Sequence, residues 1–236
     1  MRTFTLSTVG LVLLLMSTAG CGINFYAGRA SDFGRIDELS SELERLRARK
    51  ASEADELADA KRLLEQRLAQ EIRDHQVQLE MAERGLVLTF VAEVLFDSGK
   101  ADLRQPARGT LGKVASVIQE KVADRNIGIE GHTDNQPIVK SGWKSNWELS
   151  TARAISVLHF LEESGVVPQQ LVASGYGEYH PMTSNDSAVG RQKNRRVEIV
   201  ILPKEWTARD REILRQGRLS DKPAIVGQAA QFEQYK

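Results

Sequence analysis

The residues best suited to chemistry lie in one short run, Gly131–Ala154. The run contains His132, Asp134 and Ser150, which are the residue types of a hydrolytic triad. It also pairs the carboxylate of Asp134 with the guanidinium of Arg153, and these two groups suit an ionic ligand. The run therefore allows catalysis, metal binding or ligand binding, and the rest of the sequence must decide between them.

Catalysis and metal binding lack the further residues that they need. No nucleophile-elbow sequence surrounds Ser150, although a nucleophile needs a placed base and an oxyanion hole. His132 and Asp134 form no known metal-ligand spacing with the more distant histidines of the chain. We therefore predict a protein that is not an enzyme, with no catalytic residue, no metal and no cofactor.

Binding of a zwitterion fits the same residues. A strand that ends at Gly131 would deliver Asp134 to the rim of a sheet, where α/β domains commonly bind ligands. Arg153 would lie about two turns into a helix that begins at Asn146. Asp134 would then bind an ammonium group, and Arg153 a carboxylate through two parallel hydrogen bonds. From the residues alone, a structural salt bridge between Asp134 and Arg153 is an equal alternative.

The elements that must position this site follow from the periodicity of apolar residues. Alternating apolar residues predict strands, spacings of three and four predict helices, and Ser145-x-x-Glu148 has the form of a capping box. The order β-α-β-α-β-β predicts an α/β (α+β) two-layer sandwich over residues 85–203. The predicted elements are strand Leu86–Phe96, helix Pro106–Val122, strand Ile127–Ile129, a helix from Asn146 to about Gly165, strands Leu171–Ser174 and Val197–Leu202, and a polar tail over residues 204–236 with a short helix near Trp206–Gln216.

A long helix is predicted before this domain, over residues 35–84, which contain no Gly or Pro. Its apolar residues recur at coiled-coil-like spacing, with an interruption and a later stutter. Roughly fifty helical residues would span on the order of 75 Å. A solvated spacer and an oligomeric coiled coil are both open, so a homo-oligomer is one alternative. The apolar seam consists of Ile36, Leu39, Leu43, Leu46, Leu57, Ala60, Leu64, Leu68 and Ile72.

The N-terminus has the layout of a signal peptide. Arg2 precedes a mostly apolar run, and small residues lead from that run to Cys21, the single cysteine of the chain. The run Thr18–Cys21 resembles a bacterial lipobox, which implies a signal peptide over residues 1–20, palmitate-type acyl chains on Cys21 and a tether over residues 21–34. The alternatives are an ordinary signal peptide with a stray cysteine and an uncleaved anchor.

The overall charge excludes some classes of partner. The 32 basic and 32 acidic residues cancel, so no global field favours nucleic acid or an anionic membrane surface. We therefore predict no nucleic-acid partner.

Several motifs match one protein family in the correct order. Residues 146–161 read Asn-x-x-Leu-Ser-x-x-Arg-Ala-x-x-Val-x-x-x-Leu, and LFDSGKADL, EGHTD, GYG and NRRVEI occur around them. Over about residues 86–203 the chain resembles the OmpA-like C-terminal domains, which also occur in Pal lipoproteins and MotB. The resemblance implies non-covalent binding of peptidoglycan through the diaminopimelate side chain of its stem peptide.

The resemblance also assigns roles to single residues. In the long loop before Asn146, Trp143 and Trp147 either cover the ligand or pack the loop, and we favour packing. His132 is expected to order its turn through a hydrogen bond. Arg195 and Arg196 either contact the glycan or are solvated and ion-paired. The implied diaminopimelate-binding residues are Asp97, Asp134, Asn146, Leu149 and Arg153, with Thr133, Arg195 and Arg196 as additional candidates.

Together these features predict a lipoprotein of the outer membrane that faces the periplasm and tethers that membrane to the cell wall. Gly22 stands where an inner-membrane retention signal would resemble Asp, which favours the outer membrane. The first alternative is a MotB-like stator or assembly component, anchored in the inner membrane by residues 6–20. That run has no acidic residue for proton conduction, which argues against a stator. The second alternative is a wall-degrading enzyme.

Overall fold

A computed structural model describes residues 30–139 and 141–204. The chain divides into two units, residues 1–42 and 43–236. The predicted signal peptide, Cys21 and the predicted tail helix lie outside the described residues. The described elements are α1 (Ala30–Arg67), α2 (Ala69–Arg73), β1 (Val77–Ala82), β2 (Gly85–Val91), α3 (Ala92–Leu95), α4 (Gln105–Lys121), β3 (Ile127–His132), α5 (Asn146–Glu163), a short 3₁₀ turn (Pro168–Gln170), β4 (Leu171–Gly175), α6 (Ala188–Asn194) and β5 (Arg196–Ile201).

One five-stranded sheet forms the centre of the second unit. The strand order is β1-β2-β5-β3-β4, and every neighbouring pair is antiparallel except β3 and β4. Helix α5 packs against β3, β4 and α4, and the buried side chains of these elements join in one apolar core. All six residues of the central strand β5 are buried. The predicted α/β two-layer class is confirmed.

Strand β1 corrects the predicted end of the long helix. Residues 77–82 form a hairpin with β2, in which Val77 lies opposite Phe90 and Ala82 opposite Gly85. Their apolar and polar residues alternate with the period of a strand. His75, with a φ of 55°, interrupts the helical conformation just before the strand. The sheet therefore has five strands, one more than the sequence predicted.

The second half of the predicted spacer belongs to the core of the domain, so an independent spacer over residues 35–84 is wrong. Arg67 donates hydrogen bonds to Ser116 Oγ at 2.7 Å and to Glu120 Oε2 at 2.6 Å, both in α4. The apolar seam of this part of α1 is used inside the chain and is not free for a second helix. The seam residues in the shared core are Leu57, Ala60, Leu64 and Leu68.

The predicted strand over Leu86–Phe96 ends early, at Val91. Ala92–Leu95 forms the single-turn helix α3, and Phe96 makes an isolated bridge with Leu103. Ala92, Leu95 and Phe96 are buried at helical spacing, and this burial favours a turn over a continued strand. The turn places the next residues at one end of the sheet.

We expect Leu64→Ala to lower the free energy of unfolding by roughly 2–5 kcal/mol, because the change leaves a cavity inside the shared core. Leu39→Ala is the matched control, since Leu39 is 41% exposed and its loss should change stability by less than about 0.5 kcal/mol. Urea unfolding measures both variants. Equally small effects would contradict the packing of α1 and favour a detached spacer.

Candidate functional site

The start of α5 is fixed by a local cap. Ser145 Oγ accepts a hydrogen bond from the backbone N–H of Glu148 at 3.4 Å. Glu148 Oε2 in turn accepts from the backbone N–H of Lys144 at 2.9 Å. The predicted capping box is therefore present, with Lys144 in place of Ser145 as the backbone donor. The cap fixes Asn146 as the first residue of the helix.

A cleft of about 840 Å³ lies between this helix start, the loop after β3 and the turn after α3. The sequence run around His132 supplies only part of its lining, and the rest comes from α3, the turn after it and Arg195, the residue before β5. The cleft brings together seven of the eight predicted binding residues, which are Asp97, Thr133, Asp134, Asn146, Leu149, Arg153 and Arg195.

Arg153 supplies a buried positive charge to the cleft. Its side chain lies on α5, the residue is only 5% exposed, and its Nε donates to the carbonyl of Lys100 at 2.9 Å. Its guanidinium carbon lies 5.2 Å from the centre of the Phe96 ring. Across residues 30–139 and 141–204, no carboxylate lies within ion-pair distance of it. Burial lowers the pKa of Arg153, but a guanidinium remains protonated.

Asp134 is buried in the same cleft and pairs with Arg195. Its Oδ1 accepts from the backbone N–H of Gln136 at 3.1 Å, and its Oδ2 accepts from Arg195 Nη1 at 2.7 Å. Arg195 Nε also donates to Glu93 Oε1 at 2.6 Å. Burial alone would lower the pKa of Arg195, but these two carboxylates outweigh burial and raise it. The alternative of an Asp134–Arg153 salt bridge is therefore wrong.

The charges of the cleft form two opposite poles. Glu93, Arg195 and Asp134 together carry one net negative charge, and Arg153 carries one positive charge that no carboxylate of the described residues pairs with. A carboxylate has about four lone-pair sites. Asp134 therefore retains acceptor capacity after its bonds to Gln136 and Arg195. This arrangement is complementary to a ligand that carries an ammonium group and a carboxylate group.

Asn146 and Thr133 set the shape of the loop that holds Asp134. Asn146 Nδ2 donates to the carbonyl of Gln136 at 3.0 Å and to Glu178 Oε2 at 2.7 Å. The backbone N–H of Thr133 donates to the carbonyl of Gly177 at 2.9 Å. Thr133 Oγ1 is buried and has no hydrogen-bond partner in the part of the chain that the structure describes. The residue lines the cleft, but its hydroxyl oxygen is enclosed and is not presented to a ligand.

Asp97 and Leu149 occupy different depths of the cleft. Leu149 is buried and offers an apolar surface beside Arg153. Asp97 is exposed at the rim and forms ion pairs with Lys100 at 3.3 Å and Arg104 at 3.6 Å. Asp97 is therefore placed to contact the outer part of a ligand.

Arg196 does not line the cleft, in contrast to its neighbour Arg195. Its Nε donates to Glu198 Oε1 at 2.5 Å, and its Nη2 donates to the carbonyl of His180 at 3.2 Å. Successive residues at the start of a strand point to opposite faces of the sheet, which explains the separation. Arg196 is therefore ion-paired, as the second alternative states, and it lies outside the cleft.

His132 orders its surroundings by stacking, so the expected hydrogen bond is wrong. Neither ring nitrogen has a hydrogen-bond partner among the described residues. The ring stacks on Tyr176, with centres 5.1 Å apart and planes at 17°. Burial, together with the charge of Arg196, lowers the pKa of His132 to about 3. The imidazole is therefore neutral at neutral pH.

His132 also belongs to a group of residue types that bind metals. Within the described ranges, ligand atoms of Glu130, His132 and Glu198 lie within 4.8 Å of one another. Arg84 pairs with both carboxylates, and Arg196 pairs with Glu198. Two guanidinium groups already balance the two carboxylates, so we assign no metal to this group.

The two loop tryptophans lie in different environments. Trp143 Nε1 donates to the carbonyl of Gly99 at 2.9 Å, which ties the long loop to the rim of the cleft. Trp147 is exposed and stacks on Tyr179, with ring centres 5.0 Å apart. Packing therefore describes Trp143, whereas Trp147 presents an aromatic surface to solvent.

Comparison with known proteins identifies the class. Residues 95–195 match the OmpA family. The chain is 39% identical to motility protein B of Bacillus subtilis over 156 residues, 66% of this chain and 59% of that protein. It is 32% identical to the outer-membrane lipoprotein YfiB of Pseudomonas aeruginosa over 122 residues, 52% of this chain and 70% of that protein. The structure of the cell wall anchor of the T6SS from Pseudomonas aeruginosa is similar with a TM-score of 0.55 at 33% identity, covering 60% of this chain and 97% of that one.

The chain therefore belongs to the OmpA family. It spans about half to three fifths of the length of the motility proteins that it matches. The matched region contains all residues that line the cleft except Ala92 and Glu93.

Sequence reasoning missed the residues that support the two charges. Glu93 accepts a hydrogen bond from Arg195, and the ring of Phe96 contacts the guanidinium of Arg153. The sequence pattern predicts Glu93 and Phe96 only as parts of a strand. The helical spacing of Ala92, Leu95 and Phe96 was the signal that could have revealed the turn.

His132 should make the protein less stable in acid. The folded state keeps this imidazole neutral down to about pH 3, whereas the unfolded chain binds a proton below its ordinary pKa of 6.5. The unfolded state therefore binds more protons between these two values, and stability falls as the pH falls through this window. We expect His132→Phe, which retains the stack on Tyr176, to show a smaller loss of unfolding free energy between pH 6.5 and 4.5.

Urea unfolding at a series of pH values measures this difference. His159→Gln is the control for the loss of a histidine at an exposed position, away from the stack on Tyr176. Parallel curves for the wild type and His132→Phe would show that the buried imidazole is not the source of the acid sensitivity.

Proposed function

We propose that this chain binds peptidoglycan non-covalently through the diaminopimelate of the stem peptide and acts as a tether, not as an enzyme. The observation that carries the proposal is the buried Arg153, which has no carboxylate within ion-pair distance in residues 30–139 and 141–204, in one cleft with the Glu93–Arg195–Asp134 group. The free end of diaminopimelate carries one ammonium and one carboxylate group on the same carbon. Membership of the OmpA family and similarity to the T6SS cell wall anchor support the proposal.

Each wall of the cleft has a separate task in this mechanism. Arg153 binds the carboxylate of the ligand with the terminal nitrogens that Lys100 does not use. Asp134 accepts hydrogen bonds from the ammonium group through its remaining lone pairs. Leu149 contacts the methylene carbons of the ligand, and Asn146 holds the loop of Asp134 in place. Because no bond is made or broken, the bound state is reversible.

We expect Arg153→Gln and Asp134→Asn to weaken binding by roughly tenfold or more, because each removes one partner of a charge-assisted hydrogen bond. Co-sedimentation with purified cell-wall sacculi measures the effect, and circular dichroism checks folding. Arg108→Gln is the matched control, since Arg108 also lies over a phenylalanine ring, 5.5 Å from the centre of Phe160, but outside the cleft.

The control should sediment like the wild type. If the folded Arg153→Gln and Asp134→Asn variants also sediment like the wild type, the cleft is not the peptidoglycan site.

We further propose that a lipid on Cys21 anchors the protein in the outer membrane, with the domain in the periplasm, so that it supports envelope integrity. The lipobox resemblance of Thr18–Cys21 and the similarity to the lipoprotein YfiB support this placement. No helix among the described residues is long and apolar enough to cross a membrane. The alternative is an inner-membrane, MotB-like component, which the similarity to motility protein B supports.

Labelled palmitate distinguishes these two placements. We expect incorporation into the wild-type protein and none into Cys21→Ser, together with a mature N-terminus at Cys21 by mass spectrometry. Ser17→Ala, upstream of the lipobox, is the control and should incorporate the label normally. A protein that retains residues 1–20 and incorporates no label would support the inner-membrane anchor.

A further inference from the structure

An exposed aromatic stack lies beside the start of α5. Trp147 is 47% exposed and Tyr179 is 61% exposed, and their ring planes meet at 21°. Side chains of this size are usually buried, and exposed apolar groups that lie together often mark a binding surface. Neither ring is needed for the charge arrangement of the cleft.

Gly177 supports the stack by close contact with Trp147. The indole of Trp147 rests on Gly177, where an added Cβ would lie 3.4 Å from the backbone nitrogen of Trp147 and 3.5 Å from its indole. Gly177 has a φ of 56°, and its N–H donates to Ser150 Oγ at 3.0 Å. Tyr179 stacks on this indole and is itself 61% exposed, so the stack presents aromatic surface to solvent.

The stack is connected to the cleft through Asn146. Asn146 lines the cleft, precedes Trp147 and donates to Glu178, the residue before Tyr179. Consecutive Cα atoms lie about 3.8 Å apart, so the stack begins next to the cleft wall. Along the axis of α5, Trp147 and Arg153 are separated by about 9 Å.

We propose that this stack is a second subsite, which binds the N-acetylated amino sugars of the glycan strand; the inference rests on the proposed function of the cleft. The linkage from the free end of diaminopimelate to the sugar runs through its methylene chain and two further residues, so a stem peptide bound at Arg153 keeps the sugar within roughly 15–20 Å, a range that includes the stack. The axial C–H groups of a pyranose ring pack on an aromatic face. The uncharged rings of Trp147 and Tyr179 suit an uncharged sugar, and Glu178 beside them is already bonded to Asn146.

The test compares two probes, the free stem tripeptide and the same tripeptide joined to its disaccharide. In the wild type we expect the disaccharide to strengthen binding by roughly two- to tenfold, which is the range of one aromatic contact. Tyr179→Ala should lose this gain while its affinity for the free tripeptide stays unchanged. Tyr179→Phe keeps the ring and should keep the gain. Calorimetry measures all six affinities.

Two results would contradict the proposed sugar subsite. One is a wild type that binds both probes equally, and the other is a Tyr179→Ala variant that keeps the full gain, as expected if the stack only stabilises its turn.

A peptide-free chito-oligosaccharide separates this inference from the proposed function. If the tripeptide does not bind but the oligosaccharide binds the wild type and not Tyr179→Ala, the subsite stands and the stem-peptide function is wrong. If neither probe binds, both proposals are wrong.

Discussion

The structure of the site depends on one constraint, which is that Arg153 is buried and has no carboxylate partner among the residues that the structure describes. Removing a guanidinium from water is costly unless other groups compensate it. The carbonyl of Lys100 and the ring of Phe96 compensate part of that cost. The charges of Glu93 and Asp134 favour the protonated form from a greater distance. The part of the desolvation cost that these groups do not compensate is relieved when a carboxylate ligand binds Arg153, and this relief contributes to the binding free energy.

The ion pair with Arg195 occupies Asp134 and leaves its carboxylate outside ion-pair distance of Arg153. If Asp134 reached Arg153 directly, the two side chains would neutralise each other and the cleft would have no poles. Arg195 prevents this contact through its ion pair with Asp134, and Glu93 in turn forms an ion pair with Arg195. The cap at Ser145 fixes the first turn of α5, and thereby the direction of Arg153.

Periodicity predicted most elements because each of them buries one face in the same core. It wrongly predicted a helix at Val77–Ala82, where the conformation is decided by strand pairing with β2. It also left open whether Leu57 and Leu64 form a seam for another helix or part of a solvated spacer, whereas both pack in the core of the domain. The motif around Arg153 indicated the cleft, but the pairing of Asp134 with Arg195 joins residues 61 positions apart, which spacing cannot predict.

The most direct test of the account is discrimination between diaminopimelate and lysine at the third position of the stem peptide. The two side chains differ by the carboxylate that Arg153 is proposed to bind. Calorimetry with both peptides should show that the wild type prefers the diaminopimelate peptide by roughly tenfold or more, and that Arg153→Gln binds both equally. A wild type without preference, or a folded Arg153→Gln variant that keeps the preference, would contradict the account.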